Sequence, residues 1–166
     1  MSAPITQSTA VLSADGLYRY RLTRAWDERT ERVTFVMLNP STADASTDDP
    51  TIRRCIGFAR SWGYGGLDVV NLYALRSTNP AALWTADDPV GPENNATLTR
   101  ALLRAPLIVA AWGANAKPDR VGMFWSLAKA CEATVHALRV TQSGAPGHPL
   151  YIPATATPQP YAEASR

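Results

Sequence analysis

Four short polar stations in this chain carry side chains able to do chemistry. The first, Asn39-Pro40-Ser41-Thr42-Ala43-Asp44, directly follows the apolar run of residues 33–38. Asn39, Ser41 and Thr42 can orient a water or a polar ligand, and Asp44 and Asp48 are carboxylates able to act as bases. The second is Asn71, at the end of apolar residues 67–70; an Asn amide offers one donor and one acceptor to the edge of a planar ring. The third is Trp112-Gly113, where glycine lets backbone approach a ligand closely. The fourth is Gly147-His148-Pro149-Leu150-Tyr151, a proline-stiffened loop whose histidine is well placed for proton chemistry. Arg53 and Arg54, beside the first station, and Arg76 are suited to phosphate.

Each station also has a plain structural use. Asn39 before Pro40 initiates turns, Asp48 and Asp49 can cap a helix, and surface arginines are commonly solvated. Asn71 can hydrogen-bond to loop backbone, Asn79 suits a cap for residues 81–83, and His136 in an apolar segment reads as structural.

The elements that position these residues alternate. Residues 17–26, after the turn Asp15-Gly16, read as an edge strand or hairpin. Residues 33–38 form the first core strand. Asp49-Pro50 supplies an N-cap and a first-turn proline, and Ile52, Cys55, Ile56, Ala59 and Trp62 follow at helical spacing until Gly63. A second strand covers residues 67–70 and a helix 93–104. A third strand covers 107–111, a helix 119–131 and a fourth strand 134–139. The expected fold is α/β: a three-layer αβα sandwich with a mostly parallel central sheet of about four strands, plus an N-terminal antiparallel strand or hairpin. Asn39, Asn71 and Trp112-Gly113 then lie along the carboxyl edge, where such sheets bind ligands, and His148 can join them.

Composition bounds the remaining possibilities. With 166 residues and 46% hydrophobic content, the chain suits one α/β domain over residues 10–154. Residues 1–9 are expected to be flexible, and the proline-containing tail 155–166 to be disordered. The formal charge of +2 is small, and arginine supplies nearly all of the positive charge, since Lys117 and Lys129 are the only lysines. No run is long enough to span a membrane, and residues 1–9 lack signal-peptide character, so a cytoplasmic monomer is expected. Cys55 and Cys131 fall on apolar helical stripes and read as buried, reduced thiols. With only two histidines besides, no metal and no cofactor are expected.

Residues 19–151 resemble a bacterial and phage family of unknown function, DUF1643. The resemblance rests on Met37-Leu38-Asn39-Pro40-Ser41-Thr42-Ala43-Asp44, Asp49-Pro50-Thr51 with Arg53-Arg54-Cys55, Val70-Asn71-Leu72-Tyr73, Ala111-Trp112-Gly113 and Gly147-His148-Pro149-Leu150. The motif order is also distantly similar to the uracil-DNA glycosylase superfamily. That similarity implies a glycosylase-like fold in which Asn39 positions water, Asn71 reads the base, Trp112-Gly113 forms a turn and His148 stabilises the departing base. Pro40, Ser41, Thr42, Asp44, Trp112, Gly113 and Tyr151 would line the substrate site. Arg53, Arg54 and Arg76 would bind phosphate, with DNA or a nucleotide as the partner. Met37-Leu38 departs from the glycine of those enzymes, and Leu150-Tyr151 from their Ser-Pro. The expected function is nucleobase or nucleic-acid recognition in a glycosylase-like pocket, with hydrolysis of an N-glycosidic bond left open. The alternatives are a non-catalytic nucleotide or nucleic-acid binding module, and a hydrolase of a small nucleoside or phosphorylated metabolite using Asp44 or Asp48.

Overall fold

A computed structural model describes residues 2–41 and 43–163. In chain order the elements are β1 (Gln7–Leu12), β2 (Arg19–Ala25), β3 (Arg32–Met37), α1 (Pro50–Ser61), β4 (Gly66–Asn71), α2 (Asn94–Arg104), β5 (Ile108–Ala110), α3 (Pro118–Ala130), β6 (Val135–Ala137) and β7 (Gln159–Pro160). Two 3-10 turns, Pro80–Trp84 and Pro149–Tyr151, complete the described elements. Among the described residues no helix is long and apolar enough to cross a membrane.

The strands form one sheet in the order β1-β2-β4-β3-β5-β6-β7. β4, β3, β5 and β6 pair in parallel, whereas β1-β2, β2-β4 and β6-β7 are antiparallel. The mostly parallel sheet of about four strands expected from the sequence is therefore a mixed sheet of seven. The additional strands are ones that periodicity reports poorly. β1 has no buried residue, and β7 is two exposed residues long. Of the edge strand or hairpin expected near the N-terminus, the hairpin is the one formed: β2 is its inner arm, and its outer arm and the edge of the sheet is β1. It also takes in Gln7, Ser8 and Thr9 from the stretch expected to be flexible. The tail expected to be disordered instead packs back through residue 161. The Tyr161 amide donates to Val135 O at 2.8 Å, its hydroxyl donates to Gly144 O at 2.7 Å, and Trp62 Nε1 donates to Ala156 O at 3.1 Å.

Alternation along the strands divides the core in two. Val33, Phe35 and Met37 of β3 and Leu67 and Val69 of β4 pack with Ile52, Cys55, Phe58 and Ala59 of α1. Val36 and Val70 face the other way, onto Leu98 and Leu102 of α2 and Phe124 and Ala128 of α3. Helix α1 starts where the sequence marks it: Asp49 is the N-cap, accepting from the Ile52 amide at 2.9 Å, Pro50 occupies the first turn, and Gly63 follows the last turn at φ +83°. The chain leaves β3 toward α1 on one face and β5 toward α3 on the other. The adjacent carboxyl ends of β3 and β5 thus form a topological switch point, which opens a crevice in doubly wound sheets. Cys55 is buried within the α1 cluster, and burial pushes its thiol well above the ordinary range. Cys131 is half-buried rather than buried, and both cysteines are free thiols.

The loop from β3 to α1 is held by a strand that is not its neighbour. The β1-β2 register slips between Val11 and Leu12, which oppose Arg21 and Arg19, so Tyr20 is an extra residue in β2. Such a bulge reverses the side-chain phase. Arg19 therefore joins Leu22 and Arg24 on the α1 face. Arg19 Nη1 donates to Ala43 O. Arg24 Nη2 donates to Asp44 O and, at 3.5 Å, to Thr47 O, while its Nε meets Asp48 at 2.8 Å. Arg24 is buried and Asp48 is partly covered. Losing one partner of such a pair strands the other group and several carbonyls. Arg24→Met is expected to lower the unfolding free energy by about 3 kcal/mol, and Asp48→Asn by less, in urea titrations of both variants. Equal stability of Arg24→Met and the parent would show that the loop stands without its clamp.

Candidate functional site

Strand alternation and the switch point bring three of the four polar stations to one cavity, and the fourth closes it. In the parallel β3-β4 ladder Met37 is the partner of Asn71. Met37 faces α1, so Asn71 does as well, and Asn39, two residues beyond Met37, follows in phase. Their side chains border a cavity of about 570 Å³ whose wall also includes Ser41, Trp112, Gly113 and His148. That volume suits a small organic ligand.

Asn71 is the most unusual group in the wall. It is 1% exposed, and neither its Oδ1 nor its Nδ2 has a hydrogen-bond partner among the described residues. Its backbone is firmly held: Asn94 Nδ2 donates to Asn71 O at 2.9 Å and to Leu72 O at 3.0 Å, and Arg120 Nε donates to Leu72 O at 2.7 Å. The carboxamide is thus fixed at its base and unpaired at both polar atoms. Each unsatisfied group costs about 1–3 kcal/mol, and buried amides without partners are rare enough to require a reason.

Asn39 is oriented by three carbonyls. Its Nδ2 donates to Pro40 O and Ser77 O, both at 3.0 Å, and to Leu75 O at 3.4 Å. With the nitrogen committed to the loop, Oδ1 is the end left to accept a hydrogen bond. His148 caps the turn Pro149–Tyr151 by accepting the Leu150 amide on Nδ1 at 3.3 Å. In the neutral ring this leaves the proton on Nε2, which becomes a donor. Burial pulls the imidazole below the ordinary histidine range, and the charge of Asp49 opposes that shift. Gly113, at φ +76°, donates its amide to Pro146 O at 2.8 Å, and a Cβ built there would lie 3.9 Å from His148 Cβ. The Trp112-Gly113 turn therefore buttresses the histidine loop. The Trp112 indole itself packs edge-on against Phe124, with ring centroids 4.9 Å apart.

The other expected site residues divide. Ser41 lines the cavity, and Tyr151, 80% exposed, forms its rim. Pro40 is buried behind the wall, and Thr42 lies outside the described residues. Asp44 points into its own loop, accepting the Ser46 and Thr47 amides at 2.9 and 2.8 Å, bonds that hold its carboxyl below the usual range. Asp48 is occupied by Arg24, so it is an ion-pair partner and not a helix cap. Neither carboxylate is on the cavity wall.

The three arginines expected to bind phosphate are also absent from it. Arg53 donates to Asp48 O at 3.0 Å, and Arg76 to Gly16 O at 3.4 Å. Arg54 donates to Pro149 O at 3.3 Å and to Ile152 O while lying over the Phe58 ring, thereby tying the histidine loop to α1. In their place the wall contains Arg19, Asp49 and Arg139. Arg19 was hidden from sequence reading by the bulge at Tyr20, because simple alternation does not report which face of β2 it takes.

His148 supplies a pH test. Its folded value lies below the ordinary 6.5, so the unfolded chain binds more protons as the pH falls past that point. The stability that comes from keeping the ring neutral is complete above pH 6.5 and is lost as the pH falls through the folded value. The imidazole resonances of His148 are expected to titrate below pH 6.5 in NMR spectra. Over the same window, the urea midpoint of the parent should fall more steeply than that of His148→Gln. Parallel pH profiles would mean that the ring is not held neutral.

No curated protein matches the chain. A family model described as "Protein of unknown function (DUF1643)" matches residues 19–150, a span that opens on the buried Arg19 and runs through Asn39, Asn71 and His148. The chain belongs to the DUF1643 family.

Proposed function

We propose that the cavity recognises a nucleobase and hydrolyses the N-glycosidic bond that joins it to a sugar. The observation that carries this reading is the buried Asn71 carboxamide, whose donor and acceptor are both unpaired. A flat ring with adjacent donor and acceptor atoms satisfies both at once, as the edge of a base does. Met37, Leu38 and Ile52 give the same wall apolar surface for ring faces. The motif order that resembles the uracil-DNA glycosylase superfamily supports the same conclusion.

The chemistry follows from which groups can carry charge. Cleavage of the C1′–N bond leaves its electron pair on the base and an electron-poor sugar carbon. Nε2–H of His148 stabilises the charge growing on the base by donating a hydrogen bond. Oδ1 of Asn39 accepts from a water and orients it toward C1′. The oxygen of that water forms the new bond, and the proton it sheds balances the proton taken up by the departing base. Asn39 is a weak base, so the rate rests on leaving-group stabilisation. A hydrolase using Asp44 or Asp48 lacks support, because both carboxylates are engaged away from the cavity wall.

A non-catalytic nucleotide or nucleic-acid binding module is the second reading. It is favoured by Met37 and Leu38 on the wall, since bulk at that position restricts how closely a sugar and its attacking water can sit.

The test is a panel of free bases, nucleosides and oligonucleotides with normal and modified bases, assayed for binding and base release. Asn39→Ala and His148→Ala are expected to reduce release by ~100-fold or more while still unfolding cooperatively, each at a stability cost of about 1–2 kcal/mol for the loop hydrogen bonds it loses. Binding without release would favour the second reading, and neither binding nor release would reject both. Asn71→Leu is expected to abolish binding while raising stability by about 1–3 kcal/mol, because it removes two buried unpaired groups. If that variant is instead clearly destabilised, the carboxamide is structural and the base-reading role fails.

A further inference from the structure

Arg19 presents a second unsatisfied group on the same wall, and this one is charged. It is 2% exposed, its Nη1 donates to Ala43 O, and its Nε has no partner among the described residues. No carboxylate among the described residues forms an ion pair with it. Burial pulls its guanidinium down to about 10, with the more distant charge of Asp49 opposing the shift, so it remains a cation at neutral pH. A buried cation without a counter-charge is strongly unfavourable. Arg24, on the same strand and face, provides the contrast: its Nε meets Asp48 directly at 2.8 Å. Arg19 lines the cavity with no such partner among the described residues.

The surroundings favour an anion. The first turn of α1 reaches this wall through Thr51 and Ile52, and helix starts attract negative charge. Asp49 takes the Ile52 amide at 2.9 Å, whereas the Thr51 amide and hydroxyl and the Ser41 hydroxyl meet no acceptor among the described residues. Arg139 adds a cation to the wall, so Arg19 and Arg139 outweigh the lone carboxylate, Asp49.

We infer that Arg19, Ser41 and Thr51 form a phosphate subsite, so that the cavity takes a nucleoside monophosphate in preference to a free base or nucleoside. The inference rests on the nucleobase reading above and adds the substrate class. A terminal phosphomonoester suits the site better than a phosphodiester within a strand. A diester carries a sugar on either side, and a guanidinium only 2% exposed lies too deep for both to pass. The sequence-expected cations Arg53, Arg54 and Arg76 have no part in this subsite, since all three donate to backbone carbonyls elsewhere.

The experiment is calorimetric titration of the full chain with the four ribonucleosides, their 5′-monophosphates, inorganic phosphate and a short single-stranded oligonucleotide. The parent is expected to bind at least one monophosphate ~10-fold or more tightly than its nucleoside, as charge-assisted contacts to phosphate require. Arg19→Gln should bring that ratio near one while leaving nucleoside affinity in place. Arg19→Lys, which keeps the charge but loses the planar fork, should retain part of the preference and guards against misfolding of the first variant.

Equal affinity of the parent for nucleoside and monophosphate overturns the phosphate subsite and leaves the nucleobase reading standing. Phosphate binding that depends on Arg19, with no response to any base or nucleoside, supports the subsite and rejects the nucleobase reading. Oligonucleotide binding tighter than that of every monophosphate and insensitive to Arg19→Gln overturns the assignment to a monoester.

Discussion

The clamp of Arg24 on the loop between β3 and α1 is the contact on which the rest of the site depends. Its guanidinium gathers Asp48, the carbonyl of Asp44 and that of Thr47, groups that would otherwise face a partly dry interior without partners. With that loop folded, Asp49 is delivered to the N-cap of α1 and the helix starts at Pro50. The start of α1 in turn sets Arg54, which holds the carbonyls of Pro149 and Ile152 on either side of the histidine turn. A continuous set of hydrogen bonds thus runs from β2 to His148 across more than half of the sequence. The catalytic candidates are at its end, and the bulge at Tyr20 is at its beginning.

Legibility followed the range of the interaction that decides each feature. The cap and first-turn proline of α1, the stop at Gly63 and the ends of β3, β4 and β5 are set by neighbours in the sequence, and all could be read there. So could the convergence of Asn39, Asn71 and Trp112-Gly113, because parallel strands bring successive carboxyl ends to one edge. The arginines could not be read that way. Arg53 and Arg54 stand beside the Asn-Pro station in sequence, yet their side chains are satisfied by carbonyls. Arg19 lies twenty residues earlier than Asn39, and only the extra residue in β2 turns it to the correct face. Edge strands were missed for a related reason. β1 and β7 bury too little to impose an alternating pattern, and their pairing is decided by the strands beside them.

Unsatisfied groups help to separate support from function. Among the described residues Asn94 Oδ1 and Arg120 Nη2 also lack partners, as do the two polar atoms of Asn71 and the Nε of Arg19. Asn94, however, spends its Nδ2 on the carbonyls of Asn71 and Leu72, Arg120 spends its Nε on that of Leu72, and both lie off the cavity wall. They are positioning residues, and what they leave unpaired is the remainder of a structural commitment. Asn71 makes no side-chain bond among the described residues, although its backbone is held from behind. A fold that invests two buried polar residues in fixing a third, and then leaves the third unpaired toward a cavity, departs from local consistency where a ligand would restore it.

The same logic bears on why a neutral histidine suits this site. A carboxylate at position 148 could not donate to the charge developing on a base, and a permanently charged side chain would meet the same burial that depresses His148. Nδ1 receives the Leu150 amide, so the ring presents Nε2–H without first having to gain a proton. Protonating Nδ1 would set two donors against each other and loosen the turn that carries Pro149, whose carbonyl Arg54 holds. The proposed donor is therefore strongest as a positioned group when it is uncharged, which is the state that burial favours. In this arrangement the half-buried ring, the tautomer and the tie to α1 are three consequences of how one loop is packed.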